Sequence, residues 1–299
     1  GRNAGLATRL SNRQCLDAAR ELVMAAIHDR PFDLPSTVVR LRAVARQNLL
    51  SPGADAIVQA ARKRNIPFLR LNTGSLVQLG TGARQRRIRA AETDRSGAIA
   101  GSIAQDKELT RTLLQAAGVP TANGYPVVSE AEAWETAEYI GLPVVVKPRD
   151  GNQGRGAATK LNTREQVIAA YQAALKEGAS VLVERFIPGN DYRLLIVGGK
   201  LVDAVRREPA HVTGDGHSAI RDITELDNAG VLSPIPIDVT DLVHPGTAEL
   251  AILAAQIVGL DIAGVDVIAA DIAAPLETQG GVVLGVNAAP GLGMHLAPA

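Results

Sequence analysis

The stretch Val144-Val145-Val146-Lys147-Pro148 is followed closely by Asp150-Gly151-Asn152-Gln153-Gly154-Arg155-Gly156. A lysine therefore ends a run of strand-forming valines, and a glycine-rich loop that carries an arginine comes next. Backbone N–H groups of such a loop can close over phosphate oxygens while the strand holds the lysine charge in place. The spacing is not that of a P-loop, because no Gly-Lys-Ser/Thr sequence opens a helix here. The stretch predicts a polyphosphate site, with ordinary turns as the alternative for its glycines.

The pattern around this stretch predicts an α+β fold. Helical spacing of apolar residues is found over 12–28, 35–46, 54–64, 106–117, 129–140, 164–176 and 246–258. Strands are predicted over 126–128, 144–148, 157–161, 180–186, 192–197, 200–206, 264–270 and 281–287. The strands are antiparallel-rich and include a strand–glycine loop–strand lid, unlike the regular alternation of a doubly wound parallel sheet. We expect a small helical segment over 1–46, the main domain over 47–299, and a lid subdomain at about 121–185.

Composition limits the classes of protein that this chain can be. The 299 residues are 46% hydrophobic, which is enough for a sizeable core, and 31 basic residues balance 31 acidic ones. A zero formal charge gives no general basic field, so we expect no nucleic-acid partner, and it makes a homo-oligomer plausible. The single cysteine, Cys15, excludes an intrachain disulfide. No apolar run reaches membrane-spanning length, so we expect a cytoplasmic protein with no membrane segment.

Two pairs of polar residues are candidates for binding. Glu184 ends an apolar strand and Asp191 follows it after a Pro-Gly turn, so their carboxylates could accept hydrogen bonds from adenine and ribose, although surface acids are the simpler interpretation. Asp266 lies inside an apolar strand, where an acid is costly unless it is paired or binds a metal. Asn287 lies on a strand that could be its neighbour, and two such oxygen ligands suit Mg²⁺. The alternative for Asp266 is a salt bridge to Arg206 or Arg207.

Taken in this order, these features resemble the ATP-grasp superfamily of carboxylate–amine ligases and, within it, the cyanophycin synthetases. The resemblance runs from about residue 14 to the end of the chain. Its motifs are Leu71–Gly82, Asp106–Thr110, Lys147–Gly156, Pro209–Gly216 and Asn287–Gly291.

The resemblance implies an ATP-grasp fold and an enzyme that uses ATP and Mg²⁺. Such an enzyme adds aspartate, or an aspartyl-arginine unit, to the C-terminus of a cyanophycin (polyaspartate–arginine) primer through an acyl phosphate. It also implies a Mur-ligase-like domain C-terminal to this segment, and assembly as a dimer or tetramer. The partners would therefore be the polymer primer and aspartate.

The resemblance assigns roles to residues at matching positions. ATP phosphates and the loop over them would involve Lys107, Lys147, Gly151, Asn152, Gly154, Arg155 and Gly156. Adenine would lie by Glu184, and ribose by Asp191. The acyl phosphate or the polymer end would face Arg193, Arg207 and His211. Mg²⁺ would be held by Asp266 and Asn287.

The sequence also departs from the family pattern. The family has a glutamate two residues before the metal-binding asparagine, and this chain has Gly285. Gly293 stands where the family often has arginine. The family has a longer stretch where this sequence has only Ser233-Pro234-Ile235-Pro236. A segment near 232–237 has therefore been either deleted from the protein or omitted from the sequence.

Two other functions stay open, the first of them because of Gly285. The first is a catalytically impaired ATP-grasp scaffold that binds nucleotide or polymer without making a bond. The second is a stand-alone ligase that makes a short peptide, against which the block Pro209–Gly216 argues.

Overall fold

A computed structural model describes residues 2–72, 74–149, 156–178, 180–208 and 235–296. The chain forms two compact units, of which one contains Gly1–Gly97 with Ala289–Leu296 and the other contains Ala98–Ala288. The domain division expected at residue 46 stays a prediction. The two compact units of the structure divide the chain after Gly97. None of the helices in the described ranges has both the length and the apolar character that a bilayer crossing requires.

The first unit combines three helices with a small antiparallel sheet. Its elements are α1 (Arg2–Ile27), α2 (Leu34–Asn48), α3 (Pro52–Lys63), β1 (Phe68–Arg70), β2 (Leu76–Leu79), β3 (Arg86–Arg89) and β4 (Glu92–Thr93). The strands pair in the order β1-β2-β3-β4. Val58 of α3 meets Val77 and Ile88 of the sheet in a small core. The arginines of β3 are exposed.

The second unit contains two antiparallel sheets and the helices that cover them. Its first elements are α4 (Ala100–Gln105), α5 (Lys107–Ala116), β5 (Gly124–Val127), α6 (Glu130–Ile140), β6 (Val144–Pro148), β7 (Ala158–Leu161), α7 (Arg164–Glu177) and β8 (Val181–Arg185). The later ones are β9 (Asn190–Val197), β10 (Lys200–Glu208), β11 (Ile235–Asp238), α8 (Pro245–Val258), β12 (Ile262–Ala269), α9 (Leu276–Gln279) and β13 (Val282–Ala288).

The four-stranded sheet has the order β5-β8-β6-β7 and packs one face on α6 and α7. Val144 and Val146 of β6 are fully buried in that core together with Val183 of β8. Because side chains alternate along a strand, Lys147 and Glu184 fall on the opposite face. This face therefore presents a cation and an anion on the side away from α6 and α7.

The five-stranded sheet has the order β11-β10-β9-β12-β13. Its apolar face carries Leu194 and Ile196 of β9 and Val265 of β12, which pack with Ala254 and Ala255 of α8 in the largest core. The same alternation sends the polar residues of these strands to the other face. All strand pairs within the described residues are antiparallel, as the sequence predicts.

Candidate functional site

A cavity of about 470 Å³ opens in the second unit, within the size range of small-molecule sites. Side chains from α5, β6, β9, β10, β12 and β13 line it. Six of the predicted site residues are among its lining: Lys107, Lys147, Asp191, Arg207, Asp266 and Asn287. The fold thus gathers charged and amide groups that are as much as 180 residues apart in the sequence.

The polar face of the five-stranded sheet forms one wall of this cavity. Asp266 of β12 lies directly opposite Arg193 of β9 on one side and opposite Gly285 of β13 on the other. Asn287 is two residues beyond Gly285, and Asp191 is two residues before Arg193. A period of two keeps these residues on the same face of the sheet.

Asp266 is held by three side chains. Arg193 donates from Nε to Oδ1 at 2.6 Å and from Nη2 to Oδ2 at 3.1 Å. Arg207 Nη2 lies 3.0 Å from Oδ1, and Asn287 Nδ2 donates to Oδ2 at 2.8 Å. A carboxylate has about four acceptor positions, and these contacts use them. Asp266 is therefore paired as the alternative interpretation predicted, with Arg207; Arg206 instead contacts Glu208.

Arg207 links the two acids of this wall. Its Nη2 also donates to Asp191 Oδ1 at 2.5 Å. Burial raises the pKa of Asp191, and the ion pair with Arg207 offsets only part of that effect. Burial acts to lower the pKa of Arg207, but the Asp266 and Asp191 carboxylates outweigh it, so the net pKa is raised and the guanidinium stays charged. Within the described ranges, Arg207 Nε has no hydrogen-bond partner.

The four-stranded sheet contributes a second ion pair. Lys147 Nζ lies 2.5 Å from Glu184 Oε2, and Arg111 Nη1 lies 4.0 Å from Glu184 Oε1. Gly124 of β5 faces Glu184 in the register. A Cβ at Gly124 would lie 2.4 Å from Glu184 Cγ and 2.8 Å from Arg111 Nη1, so only glycine fits here. These groups border a small cavity of about 30 Å³ that Lys107 also lines.

Helix α5 positions Lys107 and Arg111. The carboxylate of Asp106 accepts hydrogen bonds from the N–H groups of Glu108 and Leu109, so the helix begins at Lys107. Arg111 is four residues later and shares the face of Lys107. Arg111 is not among the site residues predicted from the sequence, although its spacing from Lys107 could have indicated it. The ion pair between Arg149 Nη2 and Glu108 Oε2, which are 2.7 Å apart, is likewise not predicted.

Several predicted residues do not line the cavity. Arg193 is not part of the lining, but it donates a hydrogen bond to Asp266, which is. Gly156 lies two residues before β7 with a φ of +69°, and a Cβ there would come within 3.0 Å of Pro148 and Glu177. Glu184 lines the small cavity of about 30 Å³ instead. Five other predicted residues lie outside the described ranges: Gly151, Asn152, Gly154, Arg155 and His211.

Binding of Mg²⁺ by Asp266 and Asn287 stays a prediction for the described residues. None of their His, Cys, Asp and Glu side chains come together in groups of three or more that could hold a metal ion. Mg²⁺ takes nearly octahedral oxygen coordination, and in nucleotide sites one or two carboxylates usually hold it together with phosphate oxygens and waters. The cavity wall offers Asp266, whose oxygens are already hydrogen-bonded, and the amide of Asn287. The position of the family glutamate is Gly285, where a Cβ would meet no atom within 4 Å.

A family model described as the RimK-like ATP-grasp domain matches residues 104–296. The chain belongs to the RimK-like ATP-grasp family. All residues named above as lining the cavity fall inside the matched segment. The predicted ATP-grasp fold is therefore confirmed.

Within this family, the chain is similar in sequence to cyanophycin synthetases. The chain is 36% identical to the cyanophycin synthetase of Trichormus variabilis over 316 residues, which cover 89% of this chain and 35% of that protein. It is 35% identical to the cyanophycin synthetase of Synechocystis sp. over 344 residues, which cover 98% of this chain and 39% of that protein. The chain thus spans little more than a third of these relatives. Because 344 aligned positions exceed the 299 residues of the chain, the relative has segments without a counterpart here.

A solved structure shows the same fold at greater distance. The bifunctional glutathione synthetase from Pasteurella multocida superposes with a TM-score of 0.62 at 20% identity. The match covers 88% of this chain and 44% of that one. At this identity the comparison supports the fold of the chain alone.

Proposed function

We propose that this chain is the nucleotide-binding part of an ATP-dependent carboxylate–amine ligase. The observation that carries the proposal is the cavity lined by Lys107, Lys147 and Arg207, which bring three cations from three separate elements. Binding of a triphosphate requires several nearby positive charges. Because the chain belongs to the ATP-grasp family, we take this triphosphate to be that of ATP.

The proposed reaction has two steps. An oxygen of the acceptor carboxylate attacks the γ-phosphorus of ATP, the bond to the β–γ bridging oxygen breaks, and ADP leaves with that electron pair. The nitrogen of the incoming amine then attacks the acyl carbon, phosphate leaves, and the nitrogen loses a proton. Both steps develop negative charge on oxygens, which fixed cations stabilise more strongly in an enclosed site than in water.

The side chains of the cleft have distinct proposed roles. Lys107 and Lys147 neutralise the phosphates, and Arg207 faces the transferred phosphoryl group. Arg193 holds the carboxylate of Asp266 in place. We retain Glu184 as the acceptor for adenine, Asp191 for ribose, and His211 and the loop 151–156 near the phosphates and the polymer end. Because Lys147 contacts Glu184, the lysine also orients the proposed adenine acceptor.

The similarity to cyanophycin synthetases supports a more specific substrate. We propose that the acceptor is the C-terminal carboxylate of a cyanophycin primer and that the amine belongs to L-aspartate or to an aspartyl-arginine unit. The Mur-ligase-like domain and the homo-oligomer stay predictions from the same resemblance.

The test of this function is ADP release by the chain in the presence of ATP and Mg²⁺. We expect release only when a cyanophycin primer and L-aspartate, or the aspartyl-arginine dipeptide, are both present. The mass of the product identifies the unit that was added. Binding of ATP without primer-dependent release would contradict the ligase assignment and leave the nucleotide site intact.

That last outcome would favour the second candidate, a scaffold that binds nucleotide or polymer without turnover. Gly285 is the observation behind it, because the family glutamate is absent from a position with room for a side chain. Under this alternative the Gly285→Glu variant gains turnover that the natural sequence lacks.

A further inference from the structure

Gly285 leaves an opening in the polar wall of the cavity. It lies directly opposite Asp266 across β12 and β13, and side chains at such paired positions have Cβ atoms about 4.5–5.5 Å apart. A Cβ at Gly285 would meet no atom within 4 Å, and its backbone is not in the left-handed region. A carboxylate at position 285 could therefore stand beside Asp266, and the sequence has glycine there.

The carboxylate that remains is committed to other partners. Asp266 accepts hydrogen bonds from Arg193 and Asn287 and pairs with Arg207. A divalent ion at Asp266 would have to displace at least one of them. Losing a partner in a partly buried ion network is costly, because it leaves a charge without compensation.

The charge of the cavity favours an anion directly. Among the charged residues of its lining, Lys107, Lys147 and Arg207 outnumber Asp191 and Asp266. Within the described residues, Arg207 Nε is a buried donor that has no acceptor. Arg207 places a positive charge 3.0 Å from Asp266, where a bound metal would otherwise place one. A guanidinium also binds phosphate oxygens in a fixed geometry.

We infer that this cleft holds the phosphates of a nucleotide with Lys107, Lys147 and Arg207, without a divalent metal ligated by the described residues. The inference rests on the proposed function, since it concerns the nucleotide of that same site. It concerns binding, and the metal requirement of turnover is a separate property.

The test is calorimetric titration of the chain with AMP-PNP, once with excess Mg²⁺ and once with EDTA. For the natural sequence we expect the two dissociation constants to agree within about threefold, well below the roughly 5- to 150-fold coupling that is typical of ligands that assist each other. The Gly285→Glu variant should lose affinity in EDTA and regain it with Mg²⁺, a change of about tenfold.

The matched control is Gly285→Gln, which has the same shape without the charge. It should show no magnesium dependence, and circular dichroism checks that each variant is folded. Binding of AMP-PNP by the natural sequence only with Mg²⁺ would overturn the inference and leave the proposed function standing. Absence of binding in both buffers would overturn the proposed function as well. A folded Gly285→Glu variant without magnesium dependence would contradict the part assigned to Gly285.

Discussion

Arg207 and Asp266 determine how charge is shared at the scale of single residues. Arg207 contacts two carboxylates through one nitrogen, and Asp266 receives two guanidinium groups. The polar wall is therefore neutral within itself, two acids against two arginines. On the opposite side Lys147 pairs with Glu184, and Arg111 lies 4.0 Å from the same carboxylate. Together with Lys107, these basic residues outnumber Glu184, which leaves an excess of positive charge. That excess is what an incoming phosphate would meet.

Replacing Lys147 by methionine removes one of these charges and preserves most of the side-chain volume. A hydrogen bond to a charged group contributes about 1.5–3 kcal/mol, so we expect AMP-PNP binding to weaken by about tenfold to a hundredfold. Calorimetry measures the change. Lys176→Met is the matched control, because that lysine is exposed in the last turn of α7 and loses the same charge. Equal affinities for the two variants would contradict a phosphate-binding role for Lys147.

The pKa of Asp191 makes a prediction about stability and pH. Burial raises this pKa above the ordinary value of 3.8, although 41% exposure of the side chain limits the effect. The folded protein therefore takes up this proton at a higher pH than the unfolded chain. The charged form costs the fold free energy above the folded pKa, and the cost disappears as the pH falls through it.

We expect the free energy of unfolding of the natural sequence, relative to Asp191→Asn, to rise as the pH is lowered from neutral through the raised pKa towards 3.8. Urea unfolding of both proteins at a series of pH values measures the difference between their free energies of unfolding. The contributions of the other carboxylates are the same in both proteins and cancel in this difference. A difference that falls on acidification would show that the ion pair with Arg207 outweighs burial.

At the scale of elements, strand alternation explains how much of the site the sequence could reveal. Lys147, Glu184 and Asp266 could each be found because a charge interrupts or ends an apolar strand. Alternation also explains why Arg207 pairs with Asp266 while its neighbour Arg206 faces away. The partner Arg193 could not be assigned, because the register between β9 and β12 joins residues 73 positions apart.

Gly124 is a second residue whose role depends on a strand pairing that the sequence alone does not reveal. Nothing near it in the sequence explains a glycine in a strand, which is normally unfavourable. The reason is its pairing with Glu184 of β8, which brings the carboxylate and Arg111 into the space of a side chain. Contacts between distant strands are set by the whole fold, and local patterns do not contain them.

Gly124→Ala tests this close approach of β5 and β8. A methyl group would overlap Glu184, Arg111 and the carbonyl of Val183, and overpacking of this kind costs about 1–3 kcal/mol. We expect the free energy of unfolding measured in urea to fall by that amount. Gly291→Ala is the control, since a Cβ there would meet no atom within 4 Å. If both variants had the stability of the natural sequence, the strands could separate freely and the site would be less rigid than proposed.

At the scale of the whole molecule, the candidate site belongs to one of the two compact units. The residues that line the cavity lie between Ala104 and Asn287, inside the second unit. The two larger cores of the described residues lie there as well. The first unit has its own small core around Val58, Val77 and Ile88. None of the described side chains before residue 104 lines the cavity.

A fragment of residues 98–296 should consequently fold and bind nucleotide without the preceding unit. Domains with their own core can in principle fold alone, and we expect AMP-PNP to bind with a dissociation constant within about threefold of that of the whole chain. Circular dichroism establishes that the fragment is folded, and calorimetry gives its affinity. The same fragment with Lys147→Met is the control, because it should lose binding as the whole chain does. A folded fragment that binds no nucleotide would show that residues before 98 complete the site.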